Sequence, residues 1–261
     1  MRRPSPRYLP LAATVLVMIG LYVFGCIRHE SFSSLRVLVN LFGDNAYLGV
    51  AAVGATFVIL SGGIDLSVGA VVAFTGIFIA SALSRGMNPL WAMVIAVTIG
   101  VSFGALQGSL ISVFDLPPFL VTLGGMFFMR GMGFVVHPQS VGIRHAFYGT
   151  TIPNLAIPLP QRLSVPFTAL CLIGVVLAGT FLAVFTRFGR TIYAIGSNQT
   201  SAALMGVPVR RTKVGIYALA GFFSALGGIV ATFYKQSGDP ASFVGLELEA
   251  IAATVIGGTP L

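Results

Sequence analysis

The sequence predicts an all-α integral membrane protein, a polytopic helical bundle with about seven transmembrane helices plus an incomplete eighth. Three observations carry this. Of the 261 residues, 56% are hydrophobic and 8% charged, whereas an average soluble domain is about 25% charged. Runs such as "YLPLAATVLVMIGLYVFG" and "LSVPFTALCLIGVVLAGTFLAVF" approach or exceed the ~18–20 residues that cross a bilayer. The 32 glycines and 21 phenylalanines suit closely packed membrane helices better than the ~10-residue alternation of a β-barrel.

The first span, 9–25, follows Arg2, Arg3 and Arg7. A basic start before an apolar run resembles a signal peptide. "VFGC" approaches a lipoprotein cleavage box, except that Phe24 stands where a small residue belongs. The many spans downstream favour a retained helix. Those spans are 46–60, 66–83, 90–113, 119–136, 164–185 and 214–234, and an apolar stretch at 250–257 is cut short by the end of the chain. Basic residues stay on the cytoplasmic side, which puts the N-terminus there and, by parity, the segment 186–213. That segment holds Arg187, Arg190, Arg210, Arg211 and Lys213 and no acid. The connections 26–45, 84–89 and 137–163 then lie outside with few bases: Arg28 and Arg36, Arg85, and Arg144 and Arg162. Within 90–113, Gly100, Gly104 and Gly108 share one helical face and let a neighbouring backbone approach.

The net charge of +8 would suggest a nucleic-acid partner in a soluble protein; here it sets orientation in the lipid bilayer, and no nucleic acid is expected. Cys26 and Cys171 fall in or beside apolar segments without redox or metal spacing and read as small buried hydrophobes. The two lysines, Lys213 and Lys235, stand in no G-x-x-x-x-G-K-[ST] phosphate loop. His29, His137 and His145 form no metal pattern, and no G-x-S-x-G elbow occurs. The reading is therefore not an enzyme, with no catalytic, cofactor-binding or metal-binding residues.

Charge inside spans is costly and usually faces a cavity or another protein group. Asp65 and Arg130 are the two cases, and with Asn45 they are the candidates for a translocation path. For Arg130 the alternative is snorkelling or an ion pair within the bundle. Asp44 and Asp115 lie only near span ends. So few titratable groups suit a protein whose energy comes from a partner. In "SGGIDLSVGA", Gly62 and Gly63 permit a sharp helix break, and Asp65, with Ser61 and Ser67 nearby, can cap the next helix. Such a break is tolerated at membrane depth where it is buried or lines a cavity. "SNQTSAALMGVPVRR" reads as a short helix with Asn198 or Thr200 as N-cap, Gly206 as its stop and Pro208 beyond. It fits either a docking element for a soluble subunit or an ordinary amphipathic connector.

Three stretches carry a family resemblance: "DNAYLGVAAVGATFVILSGGIDLSVGAVVAFTG", "PPFLVTLGGMFFMRG" and "YAIGSNQTSAALMGVPVRRTKVGIYALAGFFSALGGIVATFY". In matching order over nearly the whole chain, they resemble the permease subunits of bacterial ATP-binding-cassette sugar importers of the ribose type. Within that family, "LFGDNAYLGV" and "TLGGMFFMRG" are most similar to a galactofuranose-importer permease. The resemblance implies one permease domain over 1–261 in the bacterial inner membrane. It implies a cytoplasmic ATPase subunit that hydrolyses ATP, a second permease subunit and a periplasmic sugar-binding protein. It implies that 186–213 is a cytoplasmic coupling loop in which Asn198, Ala202, Ala203, Gly206 and Val207 dock on the ATPase, and that Gly62, Gly63, Asp65 and Ser67 form a signature helix break. Family members usually continue past "VIGGT" with further helices, so the chain reads as truncated at its C-terminus. Its ending "AATVIGGTPL" echoes "ATFVILSGGIDL" and hints at two similar halves. Two rivals follow: a self-contained secondary carrier or channel, and a non-functional truncated remnant.

Overall fold

The computed structural model describes residues 9–159 and 163–259; Arg2, Arg3, Arg7 and Arg162, used above for orientation, lie outside them. The helices are α1 (Leu9–Arg28), α2 (Leu35–Asp44), α3 (Ala46–Leu60), α4 (Val68–Ser84), α5 (Pro89–Val113), α6 (Pro118–Val136), the single turn α7 (Ile152–Asn154), α8 (Phe167–Phe185), α9 (Arg187–Ser197), α10 (Gln199–Leu204), α11 (Val209–Lys235) and α12 (Leu246–Ile256). By length and composition α5, α6, α8 and α11 can each cross a bilayer; α2 and α3, bent by 52°, pass together as a broken span, and Ala12–Arg28 of α1 and α4 are shorter apolar helices.

Several boundaries differ from the sequence expectation, each for a local reason. The connection 26–45 contains α2, whose alternating polar and apolar residues hid its helical character beside the apolar α3. The span expected at 164–185 begins at Phe167, because Leu163–Val165 pairs as strand β3 with β2 (Ile157–Leu159) and Pro166 precedes the helix. Span 214–234 begins at Val209, which puts Arg210, Arg211 and Lys213 in the first turns of α11. The stretch 250–257 begins at Leu246. Cys26 and Cys171 are half-buried free thiols.

α4 is the axis of the bundle. It is apolar all round, the pattern of a helix with no solvent face, and every residue except Phe78 and Ser84 is buried. α11 packs against α5, α3 and α4. Glycines bring α5 and α11 into backbone contact: a Cβ on Gly100 would lie 2.7 Å from the Gly221 carbonyl oxygen, and one on Gly108 2.8 Å from the Val214 Cα.

Two helices begin inside the bundle. α3 ends at Leu60, yet Val68 packs beside Ala51, so 61–67 doubles back roughly 14 Å along α3 at ~1.5 Å per helical residue. On the other side of α4, the chain after α11 forms strand β4 (Ser237–Gly238), paired with β1 (Val141–Gly142). It then runs down α4 from the level of Gly76, beside Gly238, to that of Gly69, beside Phe243 and Glu247. α12 starts there and follows α3, with Thr254 near Thr56 and Ala52. Non-helical backbone at membrane depth survives where protein buries it; Gly63, Asp65 and Ser67 of the first segment and Gly238 and Pro240 of the second are buried, while Ile64 and Val244 are exposed.

Candidate functional site

The first site is the break before α4. Gly62 has φ +77°. Its N–H donates to Ile59 O at 2.9 Å and the Gly63 N–H to Val58 O at 3.0 Å, the paired bonds that end a helix on a left-handed glycine. A Cβ on Gly63 would sit 2.6 Å from the buried Tyr217 hydroxyl of α11, so this position has room only for glycine. Asp65 Oδ1 accepts from the Ser67 N–H at 2.8 Å and the Ser67 hydroxyl at 2.6 Å. Asp65 therefore secures the residue ahead of α4 and not the orphan N–H groups of its first turn, where capping was expected; Ser67, the N-cap, makes no side-chain cap bond either. Ser67 Oγ also lies 3.2 Å from Gln107 Oε1, while Gln107 Nε2 is left without a partner. The oxygen and nitrogen of an amide are assigned from their surroundings. Exchanging them completes a chain in which Gln107 donates to Ser67 and Ser67 to Asp65.

The first turn of α4 meets a different carboxylate. Glu247, in the first turn of α12, is buried; its Oε1 accepts from the Gly245 N–H at 3.2 Å. Its Oε2 has no hydrogen-bond partner and lies against Gly69, beside the partial positive charge of the α4 N-terminus. Glu247 and Glu249 were missed because the last apolar stretch was drawn from 250. The signal was present as "GLELEA", two acids in a stretch otherwise apolar from Val244 onward.

The three path candidates engage separate partners. Asn45, exposed at the α2–α3 bend, donates to Leu41 O at 2.9 Å. Arg130, half-buried on α6, donates from Nη1 to Ser242 O at 3.2 Å and Pro240 O at 3.4 Å. It thus clamps the segment running down α4 and, among the described residues, forms no ion pair with Asp65.

The second site is the basic segment 186–213. It is three helical pieces, α9, α10 and the head of α11. Asn198, not Thr200, is the N-cap of α10, its Oδ1 accepting from the Ser201 N–H at 2.8 Å. At the other end Gly206 has φ +82°, with the Gly206 N–H on Ala203 O at 3.0 Å and the Val207 N–H on Ala202 O at 3.1 Å. Ala202 is fully buried, whereas Ala203 is exposed and Leu204 and Met205 are 85% and 73% exposed. A cleft of about 560 Å³ beside this tip is lined by Asp115, Gln199, Ala203, Val207, Arg210 and Lys213 among others. Gly196, two residues before the α10 cap, abuts the Leu60 carbonyl and comes 3.5 Å from Ser61 Cα as judged from its would-be Cβ. The exposed tip and the break before α4 are thus joined by one rigid contact.

Comparison with known proteins gives the family of the chain. The model of the family described as "Branched-chain amino acid transport system / permease component" matches residues 37–261. The chain is 46% identical to the inner membrane ABC transporter permease protein YjfF of Escherichia coli K12, over 98% of this chain and 77% of that one. It is 38% identical to the fructose import permease protein FruG of Bifidobacterium longum, over 96% and 75% of the two chains. It is 34% identical to the ribose import permease protein RbsC of Escherichia coli K12, over 88% and 72%. No solved structure matches the chain. The matched proteins are transport permeases and not enzymes.

Proposed function

We propose, from the premise that this chain belongs to the permease-component family of branched-chain amino acid transport systems, that it is one membrane subunit of an ATP-binding-cassette importer carrying a monosaccharide inward. One observation carries the reading: the capped helix α10 presents the apolar tip Leu204–Met205 beside Arg210 and Arg211, and α9, which leads directly into it, rests through Gly196 on the broken end of α3. A soluble ATPase that grips α10 pushes α9 against Leu60 and Ser61. The break between α3 and α4 takes up the displacement, because Gly62 and Gly63 carry no side chain and Gly62 is already left-handed. Asn198, Ala202, Ala203, Gly206 and Val207 build the docking piece, Ala202 and Gly206 by shaping it and Ala203 by facing the cleft.

ATP is hydrolysed by the partner, with a second permease subunit and a periplasmic sugar-binding protein completing the importer. The chain then lies in the bacterial inner membrane with its N-terminus and α10 on the cytoplasmic side, as the bases of α9 and α11 favour. The sugar is a monosaccharide because the named relatives import ribose and fructose. Galactofuranose is the finer reading, supported by "LFGDNAYLGV" and "TLGGMFFMRG". The test is a cysteine at Leu204 or Met205 in a background lacking Cys26 and Cys171, co-expressed with the ATPase carrying cysteines in its groove. Disulfide cross-links that depend on nucleotide are expected; absence of any ATPase cross-link from either position overturns the docking assignment.

A further inference from the structure

α11 is 27 residues long, roughly 40 Å at ~1.5 Å per residue, and its far end holds a second cluster that the reading above leaves unused. Close by, Phe243 has φ +61°, a left-handed backbone that is strained for a bulky residue and persists only when neighbours fix it. The neighbours are Tyr47, edge-on at 5.2 Å and 63° between centroids and planes, and Lys235, whose Nζ lies 4.2 Å from the ring centroid. Tyr234 and Glu249 lie within electrostatic reach of the Tyr47 hydroxyl. Glu249 is exposed on α12; its N–H donates to Gly245 O at 3.1 Å, and its carboxylate forms no ion pair or hydrogen bond among the described residues. A bare carboxylate facing lipid is expensive, and such groups instead face a water-filled path.

We infer that Tyr47, Tyr234, Phe243 and Glu249, with Lys235, form a monosaccharide subsite on the translocation path, reaching from the end of α11 to the start of α12. The chemistry suits a neutral sugar: the aromatic faces take its C–H surfaces, the carboxylate accepts hydroxyl hydrogens, and the ammonium donates to hydroxyl oxygens. Tyr47 and Lys235 hold the Phe243 ring in place, so binding costs little ordering of that side chain. Arg130 keeps it there by holding the carbonyls of Pro240 and Ser242. Tyr234 and Lys235 stand at the end of α11 opposite α10, on the side from which a sugar delivered across the membrane would arrive, and Phe243 lies deeper, at the level of Gly69. This inference rests on the importer reading.

Two experiments on the assembled importer test it. With ATPase and binding protein in proteoliposomes, uptake of labelled D-ribose, D-fructose and D-galactose is compared in wild type, Glu249→Gln and Phe243→Leu. Each variant is expected to raise the half-saturating concentration of the transported sugar tenfold or more; unchanged uptake in both overturns the subsite. Should the wild type move none of these sugars on ATP, the importer reading falls instead. L-leucine taken up in their place with the same dependence on Glu249 overturns the sugar assignment. Independently of transport, Glu249→Cys in a cysteine-free background is expected to react with a charged, membrane-impermeant thiol reagent, more slowly when sugar-loaded binding protein is present. No reaction places residue 249 against lipid or protein and overturns the path assignment.

Discussion

Gly104→Ala tests the packing that keeps α11 in register between its two ends. A Cβ at Gly104 would lie 2.8 Å from the Tyr217 carbonyl carbon and 3.2 Å from Ala218 Cα, with the Tyr217 carbonyl oxygen closer still. Ordinary contact begins at 3.4 Å, so the methyl group falls about 0.6 Å short at the carbon and further at the oxygen, and overpacking of this kind typically costs ~1–3 kcal/mol. No side chain can swing away, since every one of these atoms is backbone; α5 or α11 must translate. Gly100, Gly108 and Gly221 repeat the contact along the same line, so the shift opens the whole interface. Gly174→Ala on α8 is the control, because nothing lies within 4 Å of its would-be Cβ and alanine improves helix propensity by up to ~1 kcal/mol. Thermal unfolding in one detergent should show Gly104→Ala melting roughly 2–12 °C below wild type, from about 2–4 °C per kcal/mol at this chain length, and Gly174→Ala at or above it. A Gly104→Ala protein as stable as Gly174→Ala would refute the backbone contact.

The other predictions are shorter. Asp65→Asn keeps an acceptor for the Ser67 N–H and hydroxyl and should retain transport, whereas Asp65→Ala strands two buried donors at ~1–3 kcal/mol each; uptake abolished by Asn would mean that the charge itself works. Asn198→Ala removes the α10 cap at a cost of about 1 kcal/mol and Gly206→Ala strains its stop by ~1–2 kcal/mol; both should weaken ATPase co-purification without altering membrane insertion, and undiminished recovery of ATPase would contradict them. Burial pushes the Tyr148 phenol up to about 12, against which its bond to Thr232 acts weakly. Because its proton is held more tightly in the fold than in the open chain, stability from this group is full below pH ~10 and falls as pH rises toward 12. Proteolysis of the 137–159 segment should therefore accelerate in that window for wild type and not for Tyr148→Phe.

The apolar runs announced the helices because a spanning helix must be apolar whatever its neighbours. α4 was legible from its uniform hydrophobicity, and the ends of α3 and α10 from Gly62 and Gly206, since a left-handed stop is a property of the residue. What the sequence left hidden depends on packing between distant segments. α2 was overlooked because its mixed surface resembles a loop, and the doubling back of 61–67 and 237–245 shows only once both lie against α4. Asp65 drew notice as a lone acid between apolar runs, but the carboxylate against the first turn of α4 is Glu247, separated from it by more than 175 residues. Arg130 invited an ion pair because charge in a span calls for charge; its partners are backbone carbonyls, which no composition announces.

The central claim, that this chain moves a sugar with energy taken up at α10, is tested most directly by reconstitution. Proteoliposomes containing the chain with its ATPase, second permease subunit and binding protein should accumulate a monosaccharide only when ATP hydrolysis proceeds, and lose accumulation when α10 is replaced by a glycine-serine linker. Uptake by the chain alone, driven by an ion gradient and indifferent to α10, would contradict the account.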